Sequence, residues 1–368
     1  MKSAILACLA CATIVSRADA GWFSRRTPTP TPTPIPVRQA FPATPTPSPT
    51  PHLPPRELVA LPVYDEETSV KLQIFLDNHE FGPGKIDGKM GEFFGKALVA
   101  YKKANGLPPT GAVDAQLLAE VPEPYTTYTI RPEDEQFVGE VASSPSEQAK
   151  LKALEYGSLL EFVAERYHSA EDFLRKINPG MDLDKLKVGD TVTVPNVQPF
   201  EIENLSEKFV PPNPAFAARQ IYIDTRERFL EVREGDKLVA EFPITPGSKT
   251  LPAPLGEWKI LGIATMPWFR HDEGVLNHGV RTNDFYNLPP GPNNPVGILW
   301  MGLNKPGIGI HGTNNPETIG RAGSHGCIRT ANWDAARLKD LVSPGTKVTI
   351  TMGVPFTPNP TLARGASH

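Results

Sequence analysis

The sequence predicts a multidomain α+β protein: a small three-helix module, a βααβ module and a larger, mainly-β domain at the C-terminal end. Three observations carry this. Apolar residues recur at helical spacing between residues 66 and 121; two short amphipathic helices precede a β-branched run at 157–197; and strand-like alternation begins at Gln220. At ~100 to 200 residues per domain, the length also suggests two or three domains.

The chain opens MKSAILACLACATIVSRADA, where Lys2, an apolar run from Ala4 to Val15 and the small residues Ala18 and Ala20 read as a signal peptide over residues 1–20. Cys8 and Cys11 fall inside it. Lipid attachment is the weaker alternative, because Cys8 comes too early and Cys11 follows Cys8-Leu9-Ala10 rather than an aliphatic-small-small run. No later run approaches the ~20 apolar residues of a spanning helix, so the mature chain is expected to be exported to the periplasm or cell wall with no transmembrane helix. A net charge of -4 gives no nucleic-acid footprint. Residues 21–58 read as a proline- and threonine-rich linker, because RRTPTPTPTPIPVRQAFPATPTPSPTPHLPPR lacks apolar content for a core and favours polyproline II. At ~3.1 Å per residue such a spacer reaches on the order of 100 Å. Residues 354–368 read as a flexible tail.

The first module is expected at 62–122. Val70, Ile74 and Phe75, then Leu98 and Tyr101, mark two helices; Gly82, Pro83, Gly84 and Asp87-Gly88 turn the chain between them. Asn105-Gly106-Leu107 stops the second helix and a third begins at Asp114. On Gln73, Asp87-Gly88, Gly91, Ala97, Asn105-Gly106-Leu107 and Thr110-Gly111 the segment resembles the peptidoglycan-binding domain 1 family. These are mostly turn and core formers, so they mark a three-helix fold more securely than a binding site.

A second module is expected at 126–198. Leu160, Phe162, Val163 and Tyr167 give one apolar helix face and Phe173, Leu174 and Ile177 another, before the strand in KVGDTVTVP. The ending INPGMDLDKLKVGDTVTVP resembles the LysM family, a glycan-binding βααβ module, with Tyr128-Thr129-Ile130-Arg131-Pro132 as first strand. The sequence departs from that family in the roughly 25 residues between strand and first helix. His168 lies in the helical pair and is given no chemistry.

The third domain is expected at 217–353. Ile221 and Ile223, then Phe229, Leu230 and Val232, then Leu238, Val239 and Phe242 form a β-meander with Gly235-Asp236 at a turn. NLPPGPNNPVGILWMGL leads into a short apolar strand, and GIGIHGTNNPETIGRAGSHGCIRT follows. Cys327 is the one cysteine beyond the leader, in a compartment that usually pairs them. Nucleophilic catalysis by cysteine needs a thiolate, a base or imidazolium to keep it ionised, and donors where a carbonyl oxygen turns negative. His311 follows Ile308-Gly309-Ile310, which places its ring at a strand end; His325 lies two residues before Cys327; and the amides of Gly326 and Cys327 are candidate oxyanion donors. Thr330 or Asn332 is expected to cap a helix near Asp334, bringing its positive end close to the thiol. Zinc binding is the weaker reading, since two histidines and a cysteine lack a fourth ligand and the knuckle spacing. A buried structural thiol is the plainest alternative.

With His311-Gly312 lying 16 residues ahead of Cys327 in Ser324-His325-Gly326-Cys327, residues 219–352 resemble the L,D-transpeptidase catalytic family, or YkuD domain. The resemblance implies Cys327 as nucleophile, His311 as general base and the Gly312 carbonyl as the group orienting its ring. It implies that His325 assists the thiolate or holds the loop, with Arg329 and Ser324 on the substrate side, Arg329 facing a carboxylate or bracing the loop. The family's TP-x-G-x-[FY] strand entry departs here to LPAPLGEWKI, with Trp258 taken as a packing substitution. The implied reaction is acyl transfer in peptidoglycan through a Cys327 thioester, releasing D-alanine from a tetrapeptide stem and forming a 3-3 crosslink. Water or a lipoprotein lysine as acceptor gives a carboxypeptidase or a ligase from the same site. A non-enzymatic wall-binding protein is the competing class. The implied partners are stem peptides and glycan strands, with no cofactor or metal and with carbapenem acylation of the thiol.

Overall fold

The computed structural model describes residues 61–353 apart from Gly279 and Ala322. The expected signal peptide (1–20), linker (21–58) and tail (354–368) lie outside the described residues.

Helices α1 (Glu66–Asn78), α2 (Glu92–Ala104) and α3 (Asp114–Ala119) build the first module. The Asp65 carboxylate accepts the Thr68 amide at 2.7 Å and starts α1. Gln73 is buried on α1 and knits the following turn: its Oε1 accepts the amides of Asp87 (3.2 Å) and Gly88 (2.9 Å), and its Nε2 donates to the Asp87 carboxylate (3.0 Å). Gly88 needs its freedom there, at φ +70°. The stop signal after α2 becomes a Schellman cap, in which the Leu107 amide donates to Lys102 O (2.8 Å) and the Gly106 amide to Lys103 O (3.2 Å).

The second module has the order β1 (Tyr125–Thr129), α4 (Pro145–Gln148), α5 (Leu159–Arg166), α6 (Glu171–Ile177), β2 (Thr191–Pro195). Its strands pair antiparallel from Tyr125↔Pro195 to Thr129↔Thr191. The first strand therefore starts and ends three residues before the expected 128–132. Pro132 has no amide for the ladder and opens a 3-10 turn over Pro132–Phe137, where the Asp134 carboxylate reaches back to the Arg131 amide at 2.8 Å. That turn and α4 occupy the long interval before α5.

The third part contains β3 (Lys208–Phe209), β4 (Arg219–Asp224), β5 (Phe229–Glu234), β6 (Lys237–Pro243), β7 (Gly256–Thr265), β8 (Phe269–His271), α7 (Glu273–His278), β9 (Tyr286–Leu288), β10 (Leu299–Leu303), β11 (Gly309–His311), β12 (Ile328–Arg329), α8 (Asn332–Lys339) and β13 (Lys347–Thr351). Its large sheet runs β12-β11-β10-β7-β13-β4-β5-β6, with β3 laid along part of β7. The expected meander is β4-β5-β6. Trp258 is buried on β7 and donates from Nε1 to Pro254 O at 2.9 Å, a packing position as expected.

The three parts share buried contacts. The β6 edge is covered by the turn after α1, whose Glu80 carbonyl accepts the Glu241 amide (2.9 Å) and whose Gly82 amide donates to the Glu241 carbonyl (2.7 Å). Asp77 on α1 is the hub: its Oδ2 accepts from His168 Nδ1 (2.9 Å) and from Arg337 on α8 (2.6 Å). His168 also stacks on Trp333, with ring centroids 5.4 Å apart. Burial opposes the Asp77 charge, yet Arg337 and His168 outweigh it and hold the carboxyl below the usual carboxylate range. A depressed carboxyl stabilises the fold above its unfolded pKa of about 3.9 and loses that contribution as pH falls below it. Among the described residues, no helix is long and apolar enough to cross a membrane.

Removing one partner of this buried cluster leaves an uncompensated charge. Asp77→Ala is expected to lower stability in urea unfolding by about 3–5 kcal/mol, and adding Arg337→Met should recover part of that loss.

Candidate active site

Strands β11 and β12 run parallel with Ile310 opposite Ile328 and His311 opposite Arg329. Because side chains alternate, the two isoleucines enter the core, both fully buried, and His311 and Arg329 share the other face. Cys327 immediately precedes β12. The pair is fixed from outside: Thr245 exchanges both backbone bonds with Arg329 (2.7 and 2.9 Å), and the Thr330 amide donates to the His311 carbonyl (2.9 Å).

The loop before the thiol is held by Ser324. Its hydroxyl donates to the Cys327 carbonyl, its amide donates to Pro246 O (3.2 Å) and its carbonyl accepts the Ser248 amide (2.8 Å). Ser324 is buried, so where the sequence suggested a substrate contact the side chain braces the loop. Gly326 sits at φ +99°, which lets the chain reverse immediately before the sulfur. His325 is exposed and makes no hydrogen bond among the described residues. Its neighbour is His271 on β8, whose imidazole is pushed down by burial and, to a smaller degree, by His325.

The Cys327 sulfur lies 3.5 Å from the Gly307 carbonyl and accepts from the Gly309 amide. Burial pushes the thiol pKa up, while the Gly309 amide and the Arg329 charge pull it down less strongly. The sequence-based expectation of a helix-stabilised thiolate therefore changes: the resting group is a thiol. Neither expected cap forms, since Ala331 takes the N-cap of α8, Thr330 donates its hydroxyl to Pro243 O (3.0 Å) and Asn332 is the first helical residue.

His311 is buried, with Nδ1 2.6 Å from the Gly312 carbonyl. A carbonyl only accepts, so Nδ1 carries the proton and Nε2 keeps its lone pair. Burial first and the Arg329 charge second lower the imidazole pKa to about 4, against the opposing Gly312 bond. The ring is thus neutral at neutral pH. It stacks on Trp300, its partner across β10, with centroids 5.7 Å apart. Trp300 also explains Gly309, where a Cβ would come within 2.7 Å of the indole ring. Arg329 is largely buried, and burial lowers its pKa while Cys327 opposes the shift.

Two clefts lie elsewhere, at the junctions between modules. One of about 870 Å³ is lined by His168, Arg337, Trp333, Glu80 and Glu123. Another of about 530 Å³ runs past Lys85, Glu165 and Phe173 to Asn314–Glu317, the loop that follows His311. Among the described residues, no three His, Cys, Asp or Glu side chains converge as ligands for a metal ion.

The Arg329 charge favours the thiolate, so Arg329→Met should move the midpoint of iodoacetamide labelling of Cys327 to higher pH. An unchanged midpoint would show that the guanidinium does not act on the sulfur.

The L,D-transpeptidase catalytic domain family matches residues 218–350, and a putative peptidoglycan binding domain family matches residues 66–120. A putative L,D-transpeptidase YkuD of Bacillus licheniformis is 30% identical over 195 residues, 53% of this chain and 94% of that protein. Its Bacillus subtilis counterpart is 27% identical over 194 residues, again 53% and 94%. A probable L,D-transpeptidase ErfK/SrfK of Escherichia coli is 28% identical over 231 residues, 61% of this chain and 67% of that protein. With a sheet that places the histidine and cysteine motifs side by side, and with this likeness across nearly a whole relative, the chain belongs to the L,D-transpeptidase family of the YkuD type.

Proposed function

We propose that the protein is a peptidoglycan L,D-transpeptidase that works through a Cys327 thioester. The observation that supports this is the parallel pairing of β11, which ends at a neutral, Nδ1-protonated His311, with β12, which Cys327 immediately precedes. The sulfur attacks the carbonyl that joins the third stem residue to a terminal D-alanine, and His311 Nε2 takes the thiol proton as the bond forms. The amides of Gly326 and Cys327 donate to the developing oxyanion. The tetrahedral adduct collapses by breaking the C–N bond; the imidazolium returns its proton to the departing D-alanine amine, and a thioester remains. An amine from a neighbouring stem attacks the thioester, gives its proton to His311 and releases the thiol, leaving a 3-3 crosslink.

We assign Arg329 to a stem carboxylate or to bracing the loop, and its charge favours the thiolate over the imidazolium. The acceptor defines the alternatives: water makes the protein an L,D-carboxypeptidase, and a lipoprotein lysine makes it a ligase. In the non-enzymatic reading the first two modules act alone. We assign residues 62–122 and 126–198 to wall attachment, the second as a LysM-like glycan module, and 217–353 to catalysis, in an exported protein of the periplasm or cell wall. A carbapenem is expected to acylate Cys327.

Incubating residues 21–368 with a disaccharide-tetrapeptide and weighing the products tests the proposal. A crosslinked dimer with free D-alanine is expected, absent in Cys327→Ala, and His311→Ala should slow acylation by about 10²- to 10⁴-fold. Monomer shortened by one D-alanine would point to water as acceptor, and dimer formed by Cys327→Ala would overturn the thiol mechanism.

A further inference from the structure

We propose that Glu165, on α5 of the second module, is a positioning residue for the His311 base and acts through Asn332. The inference rests on the reading of His311 as base given above.

The Gly312–Thr313 peptide unit is held at both ends. Its carbonyl accepts from His311 Nδ1 at 2.6 Å, and its amide donates to Asn332 Oδ1 at 3.1 Å. Rotating this plane loosens both bonds together, so whatever fixes Asn332 fixes the oxygen that orients the imidazole. Asn332 Oδ1 accepts a second amide, that of Ile298, at 3.2 Å. It reaches both by sitting in a notch where two glycines meet, since a Cβ on Gly297 or on Gly312 would collide with Oδ1. The notch explains Gly312 and Gly297 alike.

The other end of the amide sets its direction. Asn332 Nδ2 donates to Glu165 Oε1 at 2.8 Å and to Pro292 O at 3.3 Å. All four hydrogen-bonding positions of Asn332 are thus occupied, and turning the amide over would set its NH₂ against two N–H groups. Glu165 is in turn buried, and the same Oε1 accepts the Tyr156 hydroxyl at 3.0 Å. Burial, in spite of the bonds from Asn332 and Tyr156 and aided by Glu161, raises the Glu165 carboxyl to about 8. A neutral carboxylic acid with its proton on Oε2 still accepts both bonds at Oε1, so the support survives either protonation state. Glu165 and Asn332 lie 167 residues apart in the chain, in different modules. A side chain of the wall-attachment region thereby reaches the peptide that holds the base.

The test uses the full mature chain and a tetrapeptide stem without sugar, which removes any glycan contact of the second module from the readout. Glu165→Met keeps the volume but offers no comparable acceptor, and is expected to lower kcat by about 10- to 100-fold at nearly constant KM. Glu165→Gln keeps an acceptor at Oε1 and should restore kcat to within about threefold of the native value. In a His311→Ala background the Met substitution should change the residual rate no further. Glu165→Leu provides the same contrast if the Met variant does not fold, as judged by circular dichroism. A native kcat in the Met variant, a Gln variant as slow as Met, or a rise in KM alone overturns the positioning role while leaving His311 as base. A native kcat in His311→Ala overturns the base reading, and this inference with it.

Discussion

A neutral imidazole carries one N–H, and the Gly312 carbonyl fixes it on Nδ1 of His311 and so leaves the lone pair on Nε2. The rest of the site is arranged around that bond. Cys327 rests as a thiol and His311 as a neutral ring, so the site avoids the desolvation cost of a resting ion pair. Arg329 makes the choice asymmetric, because its charge favours a thiolate and disfavours an imidazolium. In the proposed mechanism, charge separation is therefore deferred to the moment of attack. Trp300 stacks on the imidazole, and the parallel pairing of β11 with β12 sets His311 beside Arg329, two residues after Cys327.

The helical modules are continuous with this arrangement. The turn after α1 seals the β6 edge, Asp77 joins His168 to Arg337, and Asn332 bonds to Glu165. Helix α8 carries both Asn332 and Arg337, so one helix of the catalytic part is tied to each of the other two modules.

Local rules made much of this legible in the sequence. Asn105-Gly106-Leu107 announced a helix cap, Asp87-Gly88 announced a turn, and His311-Gly312 with Ser324–Cys327 announced the two motifs that β11 and β12 bring side by side, because each signal is carried by neighbouring residues or by a short span. The contributions that were not legible come from tertiary distance. Trp300 was read as part of an apolar strand, and only the register with β11 makes it the wall behind His311. No local signal marks Glu165, whose bond to Asn332 forms only where α5 meets α8. The thiol followed burial rather than the expected helix dipole, since burial depends on the whole enclosure of the loop. Pro132 could have corrected the first strand of the second module, because a residue without an amide cannot continue a paired ladder.

The account stands most directly on the protonation of His311, which nitrogen NMR of histidine-labelled protein reads, with the resonance assigned by its loss in His311→Gln. At pH 7 the account requires a neutral ring protonated at Nδ1 with an unprotonated Nε2, persisting until the pH approaches about 4. An imidazolium at neutral pH, or a ring protonated at Nε2 instead, would contradict it.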